Sequence, residues 1–148
     1  MPIAAPAPAP VDHALEAARN RILALVHTWM SVWDANRGDA APLLDLLSPE
    51  GFELHTTTEP EPITTIAGVK AWFAAFPTKV ARDNHVVEGV TIERAGDHWS
   101  VQIRVFAPGT TVDGAPFVVR SEHSWLVVDY GGALPRISRL EAHLVREA

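Results

Sequence analysis

The chain has 148 residues, of which 47% are hydrophobic and 20% are charged. This composition can bury a core, and the length predicts one domain. The formal net charge of −6 argues against nucleic acid as a partner, because a phosphate backbone is bound by clustered lysine and arginine. The lack of cysteine excludes disulfides, thiolate nucleophiles and cysteine-bound metals. No apolar run approaches the ~20 residues of a membrane span, so we expect no membrane partner.

The first ten residues read MPIAAPAPAP and carry no charged side chain. Proline fixes φ and removes backbone donors, so this composition favours an extended, disordered tail over a helix. The segment lacks the basic start and apolar run of a secretory signal, and the expected location is cytoplasmic. We therefore predict a tail at residues 1–10 and a single domain at residues 11–148.

Helical periodicity dominates the first half of the chain. Apolar side chains recur at spacings of three and four after a cap at Asp12, which predicts a long helix to about Asn36, ended by Gly38. A short helix is expected at residues 40–47, and a third at residues 66–76, where Pro77 ends it. A short strand at residues 51–57 lies between the second and third helices.

The second half changes to a period of two, which is typical of half-buried strands. Strands are predicted at residues 86–93, 99–106, 117–129 and 136–145, with Asp113-Gly114 at a hairpin. Four antiparallel strands after three helices indicate an α+β fold. Such a sheet must curl around the first helix to bury the apolar faces of both.

Three local motifs resemble the nuclear-transport-factor-2-like superfamily. They are WDANRGD at residues 33–39 followed by Leu43-Leu44, IAGV at residues 66–69, and NHVV at residues 84–87 followed by GDHW at residues 96–99. The sequence is similar to SnoaL-like polyketide cyclases, scytalone dehydratase and ketosteroid isomerase. The resemblance implies a cone-shaped, cystatin-like fold, in which a curved antiparallel sheet wraps around a long N-terminal helix plus two shorter helices. It also implies an apolar pocket and a homodimer.

Asp34 and His85 are the first candidate catalytic residues. A carboxylate that holds an imidazole sets its tautomer and supports general acid–base chemistry. The resemblance implies the same pair, since scytalone dehydratase and its relatives place an Asp at the end of helix one and a His at the start of the third strand. From the residues alone, Asp34 also fits a solvated helix-end acid, and His85 a histidine bonded to backbone.

Further binding residues are predicted around this pair. The resemblance places His55 near the position of the ketosteroid isomerase base, although a shift of one residue would turn its side chain to the other face. His123 shares a strand face with Trp125, so it is the pocket candidate of that strand, while a partly exposed strand residue is the alternative. Trp33, Trp72 and Trp125 are expected in the core and in the apolar pocket wall.

The spacing of the seven histidines gives no metal motif, and no cofactor is expected. Two functions stay open at this point. The first is acid–base catalysis, of the isomerase, cyclase or dehydratase type, on a small hydrophobic or cyclic ketone. The second is a non-catalytic module that binds a small apolar molecule. The dehydratase's second histidine is missing, because residues 106–108 are Phe-Ala-Pro, and Tyr130 is the chain's single tyrosine.

Overall fold

A computed structural model describes residues 2–7, 10 and 12–145. Three α-helices and six strands occupy residues 13–144 of this range, with a 3₁₀ turn at Phe76–Thr78. The helices are α1 (His13–Ala35), α2 (Ala41–Leu44) and α3 (Ile66–Ala75). The strands are β1 (Glu53–His55), β2 (Val80–Asp83), β3 (Val86–Ala95), β4 (His98–Thr111), β5 (Pro116–Val128) and β6 (Arg136–Leu144).

Side-chain caps begin the first and third helices. The Asp12 side chain accepts a hydrogen bond from the backbone N–H of Leu15 at 3.1 Å, and Thr65 accepts one from Gly68 at 3.0 Å. The second helix is shorter than predicted, because Leu47 instead forms a β-bridge with Ile137. Backbone pairing with the last strand therefore ends α2 early.

The strands form one sheet in the order β1-β6-β5-β4-β2, and β3 also pairs with β4. All pairs are antiparallel except β1 with β6. Strand β2, which was not predicted from the sequence, pairs Asp83 with Gly109 of β4, and β3 continues along the same edge with Val86 opposite Phe106. Residues 84 and 85 thus join two strands that share one edge of β4.

The inner face of the sheet packs against α1. Trp99, Val101, Ile103 and Val105 of β4 are buried, as their alternation predicted, and Trp125 and Val127 of β5 are buried beside them. From α1, Ile22, Leu25, Val26, Trp29 and Met30 are buried against this face. The curved α+β architecture around the long first helix is the one predicted from the sequence.

Residues 2–7 are exposed and have no regular secondary structure. Residues 1, 8 and 9 of the predicted tail, and residues 11 and 146–148 of the predicted domain, lie outside the described residues. Among those described, no helix combines the length and the hydropathy that a membrane span requires.

Candidate active site

A cavity of about 390 Å³ lies between α1, α3 and the inner face of the sheet. This volume is within the usual range for small-molecule sites, roughly 300–1,000 Å³. Its aromatic wall contains Trp29, Trp33, Trp72, Phe76 and Phe117. Its polar wall contains Asp83, His85, Ser121 and His123, and its lining extends to Thr56, Thr57, Thr58, Glu59 and Lys79.

Trp33 connects the aromatic wall to His85. Its ring centroid lies 4.9 Å from that of Trp72, 4.7 Å from Phe73 and 6.0 Å from the imidazole of His85. Edge-on and tilted contacts at these distances hold aromatic rings in defined positions. Trp33 and Trp72, which were predicted for the pocket wall, both line this cavity.

The structure brings Asp34 and His85 into direct contact. Asp34 Oδ2 accepts from the backbone N–H of His85 at 2.8 Å, and Asp34 Oδ1 lies 2.6 Å from the ring Nδ1. An ionised carboxylate only accepts, so Nδ1 carries the proton and the lone pair of the neutral imidazole is on Nε2. Both side chains are mostly buried, at 19% and 17% exposed. His85 is therefore held in the tautomer that a general base requires.

Asp83 is a site residue that sequence reasoning missed. It ends β2 two positions before His85, and both side chains line the cavity. Its side chain is 4% exposed, Oδ2 lies 3.6 Å from His85 Nδ1, and Oδ1 has no hydrogen-bond partner among the described residues. Burial raises the pKa of Asp83; the charges of His85 and Arg37 oppose this, and that of Asp34 adds to it.

His123 faces the cavity from β5 as a neutral imidazole. Burial, together with the charges of His85 and His143, lowers the pKa of His123 to about 4. The indole of Trp125 can only donate, and its Nε1 lies 3.4 Å from His123 Nδ1. His123 Nε2 therefore carries the proton and donates to Ser121 Oγ at 3.3 Å, so the Ser121 hydroxyl can donate to a ligand in the cavity.

Two predicted binding residues lie outside the cavity wall. His55 is turned to Glu53, with 2.7 Å between Nε2 and Oε1, and the following threonines line the cavity instead. Of the two registers left open by the sequence, the structure shows the one in which the His55 side chain does not line the cavity. Trp125 is 1% exposed and packs on Trp29, behind the cavity wall, where it orients His123.

Asp34, Asp83 and His85 also form the group of possible metal-ligand side chains found among the described residues, with their donor atoms within 4.8 Å of one another. Histidine spacing in the sequence did not reveal this group, because Asp34 lies 51 residues from His85. His85 Nδ1 and Asp34 Oδ1 lie at hydrogen-bond distance, 2.6 Å, so a cation bound by both atoms would have to replace this hydrogen bond. The arrangement as it stands is suited to proton transfer.

The fold resembles that of several solved structures. One is a nuclear transport factor 2-like superfamily protein from Salmonella enterica, with a TM-score of 0.76 and 10% identity over 90% of this chain and 94% of the other. The chain has the nuclear-transport-factor-2-like fold. A comparison with protein-family models gave no match, and neither did a comparison with curated proteins.

Two further structures with this fold have names that refer to an enzyme. A candidate scytalone dehydratase from Novosphingobium aromaticivorans has a TM-score of 0.78 and 14% identity, over 92% of this chain and 89% of that one. A type 2 hexachlorocyclohexane dehydrochlorinase, LinA, has a TM-score of 0.78 and 12% identity, over 92% and 90% of the two chains. At these identities the likeness shows the nuclear-transport-factor-2-like fold alone.

Proposed function

We propose that the protein is a cofactor-independent acid–base catalyst that acts on a small hydrophobic or cyclic ketone. The observation that supports this most is the contact between Asp34 and His85, which leaves a basic Nε2 in the wall of an apolar cavity. Removal of a proton next to a carbonyl needs a positioned base and a donor to the oxygen, and it needs no cofactor. The two solved structures named after enzymes are consistent with catalysis on this fold.

Each polar group has a role in this proposal. His85 is the general base, and Asp34 orients it and stabilises the imidazolium that forms. His123 Nε2 donates a hydrogen bond to Ser121 Oγ, so the Ser121 hydroxyl is free to donate its own proton to an oxygen of the ligand. Trp33 and Trp72 contact the apolar part of the ligand.

The proposal is tested with α-tetralone, a two-ring ketone whose α-protons exchange with solvent when an enol forms. The protein is incubated with α-tetralone in D₂O, and the loss of the α-proton signals is followed by NMR. Wild type should accelerate the exchange, and His85→Gln should reduce it by at least tenfold, because general bases contribute typically ~10²–10⁴-fold. His98→Gln is the matched control, since His98 lies 2.6 Å from Asp97 but is exposed at the surface.

A non-catalytic binding module is the second candidate. The absence of a histidine at residues 106–108 favours it, because the cavity then lacks the dehydratase's second imidazole. Under this alternative, α-tetralone or a similar ketone binds in the cavity, as seen by ligand-observed NMR, while its exchange rate stays at the rate in buffer.

We also propose a homodimer formed through the outer face of the sheet. Val86 lies opposite Phe106, and the Arg120 guanidinium lies 4.9 Å above the Phe106 ring. Val86 is 47% exposed and Val118 is 59% exposed on this face. Size-exclusion chromatography with light scattering would give twice the chain mass, and Val118→Glu should shift it to the monomer. A cytoplasmic location stays an expectation.

A further inference from the structure

Asp83 is a buried carboxyl group that the pairing of Asp34 with His85 leaves without a hydrogen-bond donor among the described residues. Asp34 receives both N–H groups of His85, from the backbone and from the ring. Arg37 is the nearby cation, but its guanidinium donates to the carbonyl oxygen of Val80. An ionised Asp83 would therefore be a buried carboxylate with an unpaired oxygen, which is costly.

The charges around Asp83 come from several elements. The Asp34 carboxylate and Arg37 face it from α1 and the residues after α1, and His85 faces it from the start of β3. Lys79, His123 and Glu59 line the same cavity from the turn before β2, from β5 and from the loop after β1. Two carboxyl groups whose oxygens lie within 4.8 Å cannot both be ionised at low cost beside a neutral imidazole. Asp34 accepts both N–H groups of His85, whereas Asp83 Oδ1 accepts none from the described residues, so Asp83 is the better place for a proton shared by the two carboxyl groups.

We propose that Asp83 is the proton donor of this site, a neutral carboxylic acid that protonates the carbonyl oxygen of the ligand. The inference rests on the proposed function and names the acid that works with the base His85. Both groups lie in the wall of one cavity, so a single ligand can contact both.

Formation of the enol requires no reactant besides the ketone, His85 and Asp83. His85 Nε2 takes a proton from the carbon next to the carbonyl, and the electron pair of that C–H bond forms a carbon–carbon double bond. The π pair of the carbonyl takes the proton of Asp83 and becomes the O–H of an enol. Asp83 is then a carboxylate beside the His85 imidazolium. Both groups are restored when the enol returns its O–H proton to Asp83 and His85 protonates carbon.

The first test follows the protonation state of Asp83 without any substrate. Protein with ¹³C-labelled aspartate carboxyls is titrated by NMR, and the Asp83 signal is assigned as the one absent from Asp83→Asn. We expect the pKa of the Asp83 carboxyl to lie above the ordinary aspartate value of about 4, because burial disfavours its charged form. Asp97 is the internal control, since the hydrogen bond from His98 lowers the pKa of Asp97. An Asp83 signal that titrates together with the surface aspartates overturns the inference.

The second test measures the role in exchange. In the α-tetralone assay, Asp83→Asn should reduce the rate at least tenfold at pH values where Asp83 is protonated, and Asp83→Glu should recover part of it. A far-UV circular dichroism spectrum and a cooperative melting transition like those of wild type establish that the asparagine variant is folded. A variant that exchanges at the wild-type rate at every pH overturns the donor role while leaving His85 as the base. If the titration shows that Asp83 is protonated but wild type does not accelerate the exchange of α-tetralone, both the proposed catalytic function and the donor role of Asp83 are wrong. The protonated state of Asp83 would then stand without a catalytic role.

Discussion

One carboxylate, that of Asp34, receives both the backbone N–H and the ring Nδ1–H of His85. The two residues are 51 positions apart, and the contact joins the end of α1 to the start of β3. It fixes the imidazole in position as well as in tautomer, because two bonds to one planar group leave the ring little freedom to turn.

Asp34→Asn should disturb this arrangement without changing the size of the side chain. The two N–H groups of His85 are bonded to different oxygens of Asp34. An asparagine keeps one of these oxygens and turns its NH₂, a donor, to the other N–H group. We expect the neutral His85 to lose its preference for the Nδ1–H tautomer, as seen in two-bond ¹⁵N–¹H NMR spectra. Asp97→Asn is the surface control for Asp34→Asn and should leave the His85 spectrum unchanged. A His85 tautomer that is the same in wild type and Asp34→Asn would show that Asp34 does not set it.

The free energy of unfolding should fall as the pH is lowered from about 6.5 to 4. An unfolded histidine takes up a proton near pH 6.5, whereas His123 in the folded protein does so only at about 4. The unfolded state therefore binds more protons between these values, and the loss is roughly 3 kcal/mol at most.

Urea unfolding at several pH values compares wild type with His123→Gln. The variant should lose this part of the pH dependence, while His98→Gln should keep it. The raised pKa of Asp83 acts in the opposite direction, since its folded form holds a proton that the unfolded form releases as pH rises. Because Asp83 is present in both proteins, the difference in pH dependence of the unfolding free energy between wild type and His123→Gln reports on His123 alone. Equal slopes for the two proteins would contradict a buried neutral imidazole.

Gly109→Ala should destabilise the protein and disturb the cavity wall. A Cβ at Gly109 would lie 2.3 Å from Cζ of Phe117 and 2.5 Å from the carbonyl oxygen of Arg82, where β2 pairs with β4. The backbone of β2 cannot easily move away, so we expect a loss of about 1–3 kcal/mol, as for an overpacked core.

Thermal unfolding measures this loss, and Gly132→Ala is the control. A Cβ at Gly132 meets one atom within reach, the Leu134 carbonyl oxygen at 4.0 Å. If both Gly109→Ala and Gly132→Ala unfold at the wild-type temperature, the backbone of β2 does not lie as close to Gly109 as described.

Removal of residues 1–10 should leave the melting temperature within about 2 °C of the full chain, because exposed termini contribute little to stability. Residues 2–7 are exposed. Differential scanning fluorimetry of the two proteins makes the comparison. A clearly lower melting temperature for the shortened chain would mean that the segment packs on the domain or on a second copy.

The helices and the long strands could be predicted because their signals are local. Asp12 and the apolar spacing after it define α1, and the alternation from Trp99 to Val105 defines the buried face of β4. Strand β2 gave no such signal, since its four residues include Arg82 and Asp83 and it is recognised only by its pairing with β4. Its absence from the prediction is the reason that Asp83 was missed.

The site itself was predictable in part. The resemblance of two separate motifs to the family indicated Asp34 and His85 as a pair. Their direct contact could not be predicted from local patterns, because it depends on how α1 packs across the sheet. The environment of Asp83 is created by residues from α1, from the following loop and from β3, so its burial is not visible in any local pattern. The sequence Asp-Asn-His at residues 83–85 has two titratable side chains two positions apart, a spacing that points both side chains the same way in extended backbone, and this is the signal that could have revealed Asp83.

The central claim is that His85, held by Asp34, is the base of the site. The most direct measurement is the α-tetralone exchange rate in D₂O for wild type, His85→Gln, Asp34→Asn and the double variant. We predict that each single variant loses at least tenfold and that the double variant loses no more than His85→Gln alone, because the two groups act as one unit. Losses that multiply in the double variant, or an unchanged rate in His85→Gln, would contradict the account.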